Sequence, residues 1–497
     1  MDMTKIINNL TVEQKAKLVH GNGSWHTADG LGLPVIMMTD GPHGLRKQDD
    51  LNEKVANIND SAKATCFPTA CAVASSWNVQ NARIIGHEIA KQAIAQGVSV
   101  VLGPGVNIKR SPLCGRNFEY FSEDPLLAGQ MASNYIQSMQ SMGVGSCLKH
   151  FAVNSQETRR MTVNAVVDER ALREIYLYAF EQAVKSAQPY CIMNAYNKLN
   201  GQSCAENKRL LTDILRNEWG FEGLVMSDWG ATYNVAKSIE AGMDLEMPDG
   251  GSYHEKLTVK YVNEGALSTE ALDRACQKVV DLIDKCSVEK PQLTIDFENA
   301  HNVCRQVEND CAVLLKNDGI LPLTQDCDEI LVVGGLATTP RFQGAGSSHI
   351  NAQAKTFLQV LEENNVQYHF AQGYNVLGDK AVAKLENDAI ELAKVCKTVV
   401  FFGVLTDDFE GEGYDRTKLE MPTCQQQLLD KLYQVNQNIV FVAFGGSPFV
   451  MPWLDKTKAL LNMYLGGEAV MESVFDLVFG RVSPSGRLAE SYPLALQ

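Results

Sequence analysis

From about residue 30 to residue 250 the chain alternates short apolar runs with longer amphipathic stretches. The runs cover residues 35–39, 98–102, 145–151, 190–195, 224–227 and 242–247. Near-continuous apolar strands separated by helices predict a parallel sheet covered on both faces. One intervening helix is plainly legible, with Asp168 as N-cap, Glu169 in the first turn and a stripe of Leu172, Ile175, Tyr176, Ala179, Phe180, Ala183 and Val184. Repeated strand–helix units over roughly 250 residues are the size of a (β/α)8 barrel. The runs end in polar or charged residues: Asp40, Asn107, Lys149 with His150, Asn194 with Tyr196, Asp228, and Glu246. In parallel α/β folds such strand ends present groups to ligands.

A polar stretch, Ser287-Val288-Glu289-Lys290-Pro291-Gln292, interrupts the pattern. Beyond it a second α/β pattern begins, with strands expected over 330–333, 398–404, 439–444 and 459–464. The expected organisation is therefore α/β throughout: a barrel over 1–286, a linker over 287–304 and a smaller α/β domain over 305–497. At 497 residues two domains are the natural division. Val333-Gly334-Gly335 lacks the spacing of a dinucleotide-binding turn, so no nucleotide cofactor is expected.

Composition narrows the partners. The chain carries 44 Lys and Arg against 59 Asp and Glu, a net charge of −15, which disfavours nucleic acid and anionic membrane. Apolar stretches such as 439–454 are broken by Gly445, Gly446, Pro448 and Pro452, and the N-terminal residues hold no apolar signal core. Thirteen dispersed cysteines read as buried reduced thiols, and a cytoplasmic location is expected. There is no HExxH, no close Cys/His pairing and no EF-hand loop, so neither a metal nor a cofactor is predicted. The absence of a GxSxG elbow argues against a serine hydrolase.

Several strand-end groups point to sugar chemistry. Asp228 is followed by Trp229 and Gly230, placing a carboxylate beside a flat aromatic face on which a sugar ring can pack. The plainer reading of such an Asp, taken alone, is a helix N-cap. Asp40, in Asp40-Gly41-Pro42-His43-Gly44, is an acceptor suited to vicinal hydroxyls, or simply the opening of a turn. Arg116 lies in a polar and aromatic loop, Lys149 and His150 end a buried run, and Arg160 follows on the next loop. Tyr196 offers a hydroxyl to a neighbouring carboxylate, or is a packed aromatic. In the second domain, Asp408-Phe409-Glu410-Gly411-Glu412-Gly413-Tyr414-Asp415-Arg416 reads as a mobile acidic loop. Two carboxylates and a set of hydroxyl-binding donors are what cleavage of a glycosidic bond requires.

These segments, in this order, resemble glycoside hydrolase family 3 of the β-glucosidase type. The resemblance rests on Leu31 to Arg46, Gly115 to Pro125, Lys149 to Asn154, Met193 to Asn197, Ser227 to Ala231 and Glu412 to Arg416, and it extends over essentially the whole chain. It implies a (β/α)8-like barrel followed by an α/β sandwich. It implies Asp228 as nucleophile and Glu412 as acid/base of a retaining exo-β-glucosidase, with the carboxyl groups about 5–5.5 Å apart. Asp40, Arg116, Lys149, His150, Arg160 and Tyr196 match positions around the terminal sugar, Trp229 a flanking platform, and Ser347 a second-domain residue near the site. The implied partner is a small glycoside or oligosaccharide. Alternatives within the family are a β-xylosidase or α-L-arabinofuranosidase; outside it, a non-catalytic sugar-binding protein. Two departures stand out. Longer relatives continue past Ser485-Gly486-Arg487-Leu488 into a fibronectin-like domain, so this chain is expected either to be truncated or to lack that module. The loop Phe151-Ala152-Val153-Asn154-Ser155 lacks the His that serves as acid/base in the N-acetylglucosaminidase branch.

Overall fold

A computed structural model describes residues 4–48, 61–324 and 330–496. Two compact units are formed: Met1–Ala64, Ala82–Ile108 and Asp124–Ile295 make the first, and Thr65–Asn81, Lys109–Glu123 and Asp296–Gln497 the second. The division does not follow the chain. Two stretches expected in the barrel, one of them bearing Arg116, belong to the second unit, where the Thr69 N–H bonds the Leu465 carbonyl (3.0 Å) and buried Lys109 pairs with Glu490 (2.5 Å).

The first unit contains strands β1 (Met38–Asp40), β2 (Val100–Leu102), β3 (Gly145–Phe151), β4 (Asn164–Ala165), β5 (Cys191–Asn194), β6 (Lys198–Leu199), β7 (Gln202–Ser203) and β8 (Leu224–Met226). Five of them pair in parallel in the order β1-β2-β3-β5-β8, and every residue in these five is buried, as their unbroken apolar character requires. The ring continues through single bridges: Leu245 to Met226, Glu246 to His20, and His26 to both Asn22 and Met37. The run over 242–247, expected as a strand, contributes only those bridges. Gly242 is spent capping the helix Val235–Ala241 at φ 119°, and Pro248 has no N–H to extend the ladder. The result is a TIM-like barrel with an irregular seam.

Asp168 caps its helix as expected, its side chain accepting from the Ala171 N–H (3.0 Å). The predicted apolar stripe is shifted, however. A wide turn over Leu172–Tyr176 adds a residue, the Leu177 N–H reaching back to the Leu172 carbonyl (2.9 Å). Leu177 is therefore buried while Ile175 is exposed. A small second sheet, β4-β6-β7, contains a hairpin whose Asn200-Gly201 turn has both residues at positive φ (49° and 93°).

The second unit is an α/β sandwich. Its strands are β9 (Val313–Asn317), β10 (Ile330–Val333), β11 (Tyr368–Ala371), β12 (Thr398–Val404), β13 (Ile439–Phe444) and β14 (Ala459–Asn462), in the order β11-β10-β12-β13-β14-β9. All pairings are parallel except β9 with β14. Alternate residues feed two cores, Val332, Phe402 and Val442 on one face and Leu331, Phe401 and Phe441 on the other. The segment expected as a linker over 287–304 is irregular only as far as 296. The helix Phe297–Cys311 follows, capped by Asp296 and burying Ala300, Cys304, Val307 and Cys311 at helical spacing.

Twelve cysteines of the described residues are free and buried, and no helix among those residues is long and apolar enough to cross a membrane.

His301, on the helix Phe297–Cys311, bonds Glu468 through Nδ1 (3.0 Å) and Glu472 through Nε2 (3.1 Å), and these carboxylates raise its pKa to about 9. Because the folded-state value is raised, this contact stabilises fully below the unfolded pKa near 6.5 and is lost as pH rises towards about 9. His301→Gln is expected to cost roughly 1–2 kcal/mol at pH 6, after allowance for partial exposure. The difference from the parent should vanish by pH 9.5 in urea unfolding followed by circular dichroism.

Candidate active site

In the first unit, four strands end on the residues singled out from the sequence. Asp40 closes β1 and is held by the turn that follows. Its carbonyl accepts from the Arg46 N–H (2.9 Å), and the Thr39 hydroxyl donates to the Arg46 carbonyl. The turn is tight enough that a Cβ on Gly41 would come within 2.5 Å of the Gly44 oxygen. The Asp40 carboxylate then lies between two cations, Arg46 Nη1 on Oδ2 (3.0 Å) and Lys149 Nζ near Oδ1 (3.9 Å).

Lys149 and His150 are consecutive on β3, where a regular strand would point them to opposite faces. The pairing with β5 shifts register between Leu148 and Phe151, and both side chains reach carboxylates of the same set. Lys149 approaches Asp40, and His150 Nε2 lies 3.7 Å from Asp228 Oδ2. The His150 backbone is clamped by Asn107, whose Nδ2 donates to the carbonyl (2.9 Å) and whose Oδ1 accepts from the N–H (2.8 Å).

Asp228 follows β8. Its Oδ1 accepts from the Trp229 N–H (2.7 Å), and its carbonyl accepts from the Ala231 N–H (2.9 Å). The side chain thus bonds within the turn while its other oxygen faces an imidazole. The Trp229 ring packs on buried Trp25, with centroids 5.2 Å apart. Tyr196 donates its hydroxyl to the Trp229 carbonyl (3.0 Å), and the Arg160 guanidinium lies 4.8 Å from the Tyr196 ring centroid. Arg160 in turn bonds buried Glu157 (2.8 Å). Asp40, Lys149, His150, Arg160, Tyr196, Asp228 and Trp229 therefore join one network in this unit.

Arg116, Ser347 and Glu412 are brought together in the second unit. Arg116 is buried and forks onto Glu119, with Nε to Oε2 at 2.8 Å and Nη2 to Oε1 at 3.0 Å. Its remaining Nη1 lies 3.7 Å from Glu412 Oε1. The other Glu412 oxygen accepts from the Ser347 N–H (2.8 Å). Gly346, at φ 80°, permits this approach, since a Cβ there would stand 2.5 Å from the Glu412 Cβ. Ser347 therefore acts on Glu412 through its backbone.

The acidic loop expected to be mobile is tied down from within. Arg341 bonds Glu410 (2.7 Å) and Asp407 (2.8 Å), and Glu410 accepts from the Gly446 N–H and the Ser447 hydroxyl. Asp415 accepts from the Gly115 N–H (3.0 Å), and Arg416 donates to the Pro448 carbonyl (2.6 Å). Glycine and glutamate in alternation look flexible in sequence, but buried arginines pair with the acidic side chains. The positioning groups Asn107, Glu119, Glu157 and Arg46 were not assigned from the sequence. The Glu three residues from Arg116 and from Arg160 was the available signal for two of them.

Residues 3–282 match the Glycosyl hydrolase family 3 N terminal domain, and residues 312–497 the Glycosyl hydrolase family 3 C-terminal domain. The chain is 45% identical to thermostable beta-glucosidase B of Acetivibrio thermocellus, with 100% of this chain and 66% of the relative covered. It is 44% identical to an exo-alpha-(1->6)-L-arabinopyranosidase of Bifidobacterium longum, with 98% and 66% covered. Among solved structures, the Bifidobacterium adolescentis GH3 beta-glucosidase is 43% identical with a TM-score of 0.92, covering 98% of this chain and 71% of that one. Beta-glucosidase 3B of Thermotoga neapolitana, solved in complex with glucose, is 32% identical with a TM-score of 0.89, covering 100% and 76%. The chain thus spans about two thirds of the length of the curated relatives it matches.

The Asn107 clamp yields a direct test of how the strand end is held. Asn107→Ala leaves a buried N–H and carbonyl of His150 without that partner, and should cost about 2–4 kcal/mol in denaturant unfolding. Asn107→Asp keeps the acceptor and should cost less.

Proposed function

The chain belongs to glycosyl hydrolase family 3, and on that premise we propose that it is a retaining exo-β-glycosidase releasing terminal β-D-glucose. The observation that carries the reading is the arrangement around Asp228. This carboxylate follows a barrel strand, bonded to the Trp229 N–H and facing His150, with the Trp25 and Trp229 rings packed at a tilt beside it. Asp40, flanked by Arg46 and Lys149, supplies an acceptor suited to two sugar hydroxyls.

In this mechanism the ionised Asp228 attacks the anomeric carbon as the glycosidic C–O bond breaks. Protonated Glu412 gives its proton to the departing oxygen, leaving a glycosyl ester on Asp228 and an ionised Glu412. Water then attacks the same carbon. Glu412 takes the water's proton, the ester bond breaks towards Asp228, and both carboxyl groups return to their starting states. Arg116 and the Ser347 N–H hold Glu412 in one rotamer through both steps. Lys149, His150, Arg160 and Tyr196 bind or position the terminal sugar. Trp229 is its apolar wall.

The substrate is a small glucoside or oligosaccharide. The 44% identity to an arabinopyranosidase makes α-L-arabinopyranoside the competing specificity, and a panel of aryl β-glucoside, β-xyloside and α-L-arabinopyranoside decides between them. A reducing, cytoplasmic setting belongs to the same reading, supported by the free and buried cysteines.

Asp228→Ala is expected to lower kcat on an aryl β-glucoside by roughly 10⁴-fold or more with the fold intact. Near-normal turnover would sink the assignment, and an inverted first-formed anomer seen by NMR would rule out the ester. Glu412→Gln should slow formation of the ester steeply for alkyl glucosides and far less for a dinitrophenyl glucoside, whose leaving group needs no proton. Equal slowing of both in pre-steady-state measurements would exclude Glu412 as the acid.

A further inference from the structure

A groove of about 740 Å³ lies on the first unit, lined by the β6–β7 hairpin and by the helix Val235–Ala241. Its volume is within the range of about 300–1,000 Å³ typical of small-molecule sites. None of its lining residues belongs to the set assigned above. Its rim is nevertheless built from the same two loops, since Met161 follows Arg160 and Tyr233 lies four residues beyond Trp229.

The walls are stiff. The Asn200 side chain exchanges two hydrogen bonds with the Val167 backbone (2.9 Å each), and the Gly201 N–H bonds Asn164 Oδ1 (2.7 Å). Opposite, Asn234 caps the helix by accepting from the Lys237 N–H (3.0 Å). Tyr233 is 50% exposed, yet its hydroxyl is anchored to the Met161 carbonyl (2.6 Å). An anchored but open aromatic face is a preformed plate for the C–H face of a sugar ring. Three lysines (Lys198, Lys208, Lys237) intersperse with two carboxylates (Glu206, Glu240), giving donors and acceptors without a field of one sign. That mixture suits neutral diols better than a polyion.

We propose that this groove is a second carbohydrate site, taking a neutral β-linked gluco-oligosaccharide with one ring on Tyr233. The ligand class rests on the glycosidase reading; the groove itself does not. Its role is to retain longer substrates whose end is being cleaved.

Cellotetraose binding to Asp228→Ala, which does not consume it, provides the test by isothermal titration. Adding Tyr233→Ala should weaken cellotetraose at least tenfold, with glucose affinity unchanged. Unchanged cellotetraose affinity in the Tyr233 variant overturns the proposal, as does an equal loss for glucose. Failure of the native chain to cleave any aryl glycoside, with Tyr233-dependent cellotetraose binding intact, would count against the catalytic reading and support the groove.

Discussion

Charge burial at the ends of parallel strands is the constraint on which the first unit is built. Asp40, Arg46, Lys149 and Asp228 are each less than a tenth exposed. Isolated charges would not survive there, because transfer from water costs far more than a domain's net stability. They persist because each has a counterpart: Asp40 between Arg46 and Lys149, Asp228 against His150 and a backbone N–H. The register shift in β3 and the Asn107 clamp are what let two consecutive side chains serve two different carboxylates. Under the proposed function, polar satisfaction and substrate recognition draw on the same groups.

The second unit handles its acid/base candidate differently. Two buried arginines, Arg116 and Arg341, each engage a neighbouring glutamate through strong charge-assisted bonds. Arg341 with Glu410 fixes the loop; Arg116 with Glu119 fixes the cation near Glu412. Glu412 itself accepts from the Ser347 N–H and lies near the Arg116 guanidinium.

Patterning exposed most of the architecture where a strand is buried on both faces. β10, β12 and β13 are continuous apolar runs and were legible to the residue. The sheet edges β9 and β11 were not, because half-exposed strands carry mixed residues such as Lys316 and His369. The helix after Asp168 was legible as a helix but not in its facing, since one inserted residue in a wide turn exchanges Ile175 for Leu177. Among the site residues, those that end apolar runs stood out. Residues that act through others, such as Glu119 and Glu157, did not, and Asn107 was visible only as the end of a run, without a role.

The sequence by itself determined the class of fold, the strand-end placement of Asp40, Lys149, His150 and Asp228, and the sugar-like chemistry of a carboxylate beside a tryptophan. These are local properties, set by periodicity and by what lies next in the chain. Only the tertiary structure decided that 109–123 packs with the second unit, that the glycine-rich acidic loop is anchored, and that Tyr233 and Ser203 share a groove. Each of these depends on contacts between residues far apart in the chain, whose pairing is settled by burial and by satisfaction of buried polar groups, and neither leaves a periodic trace.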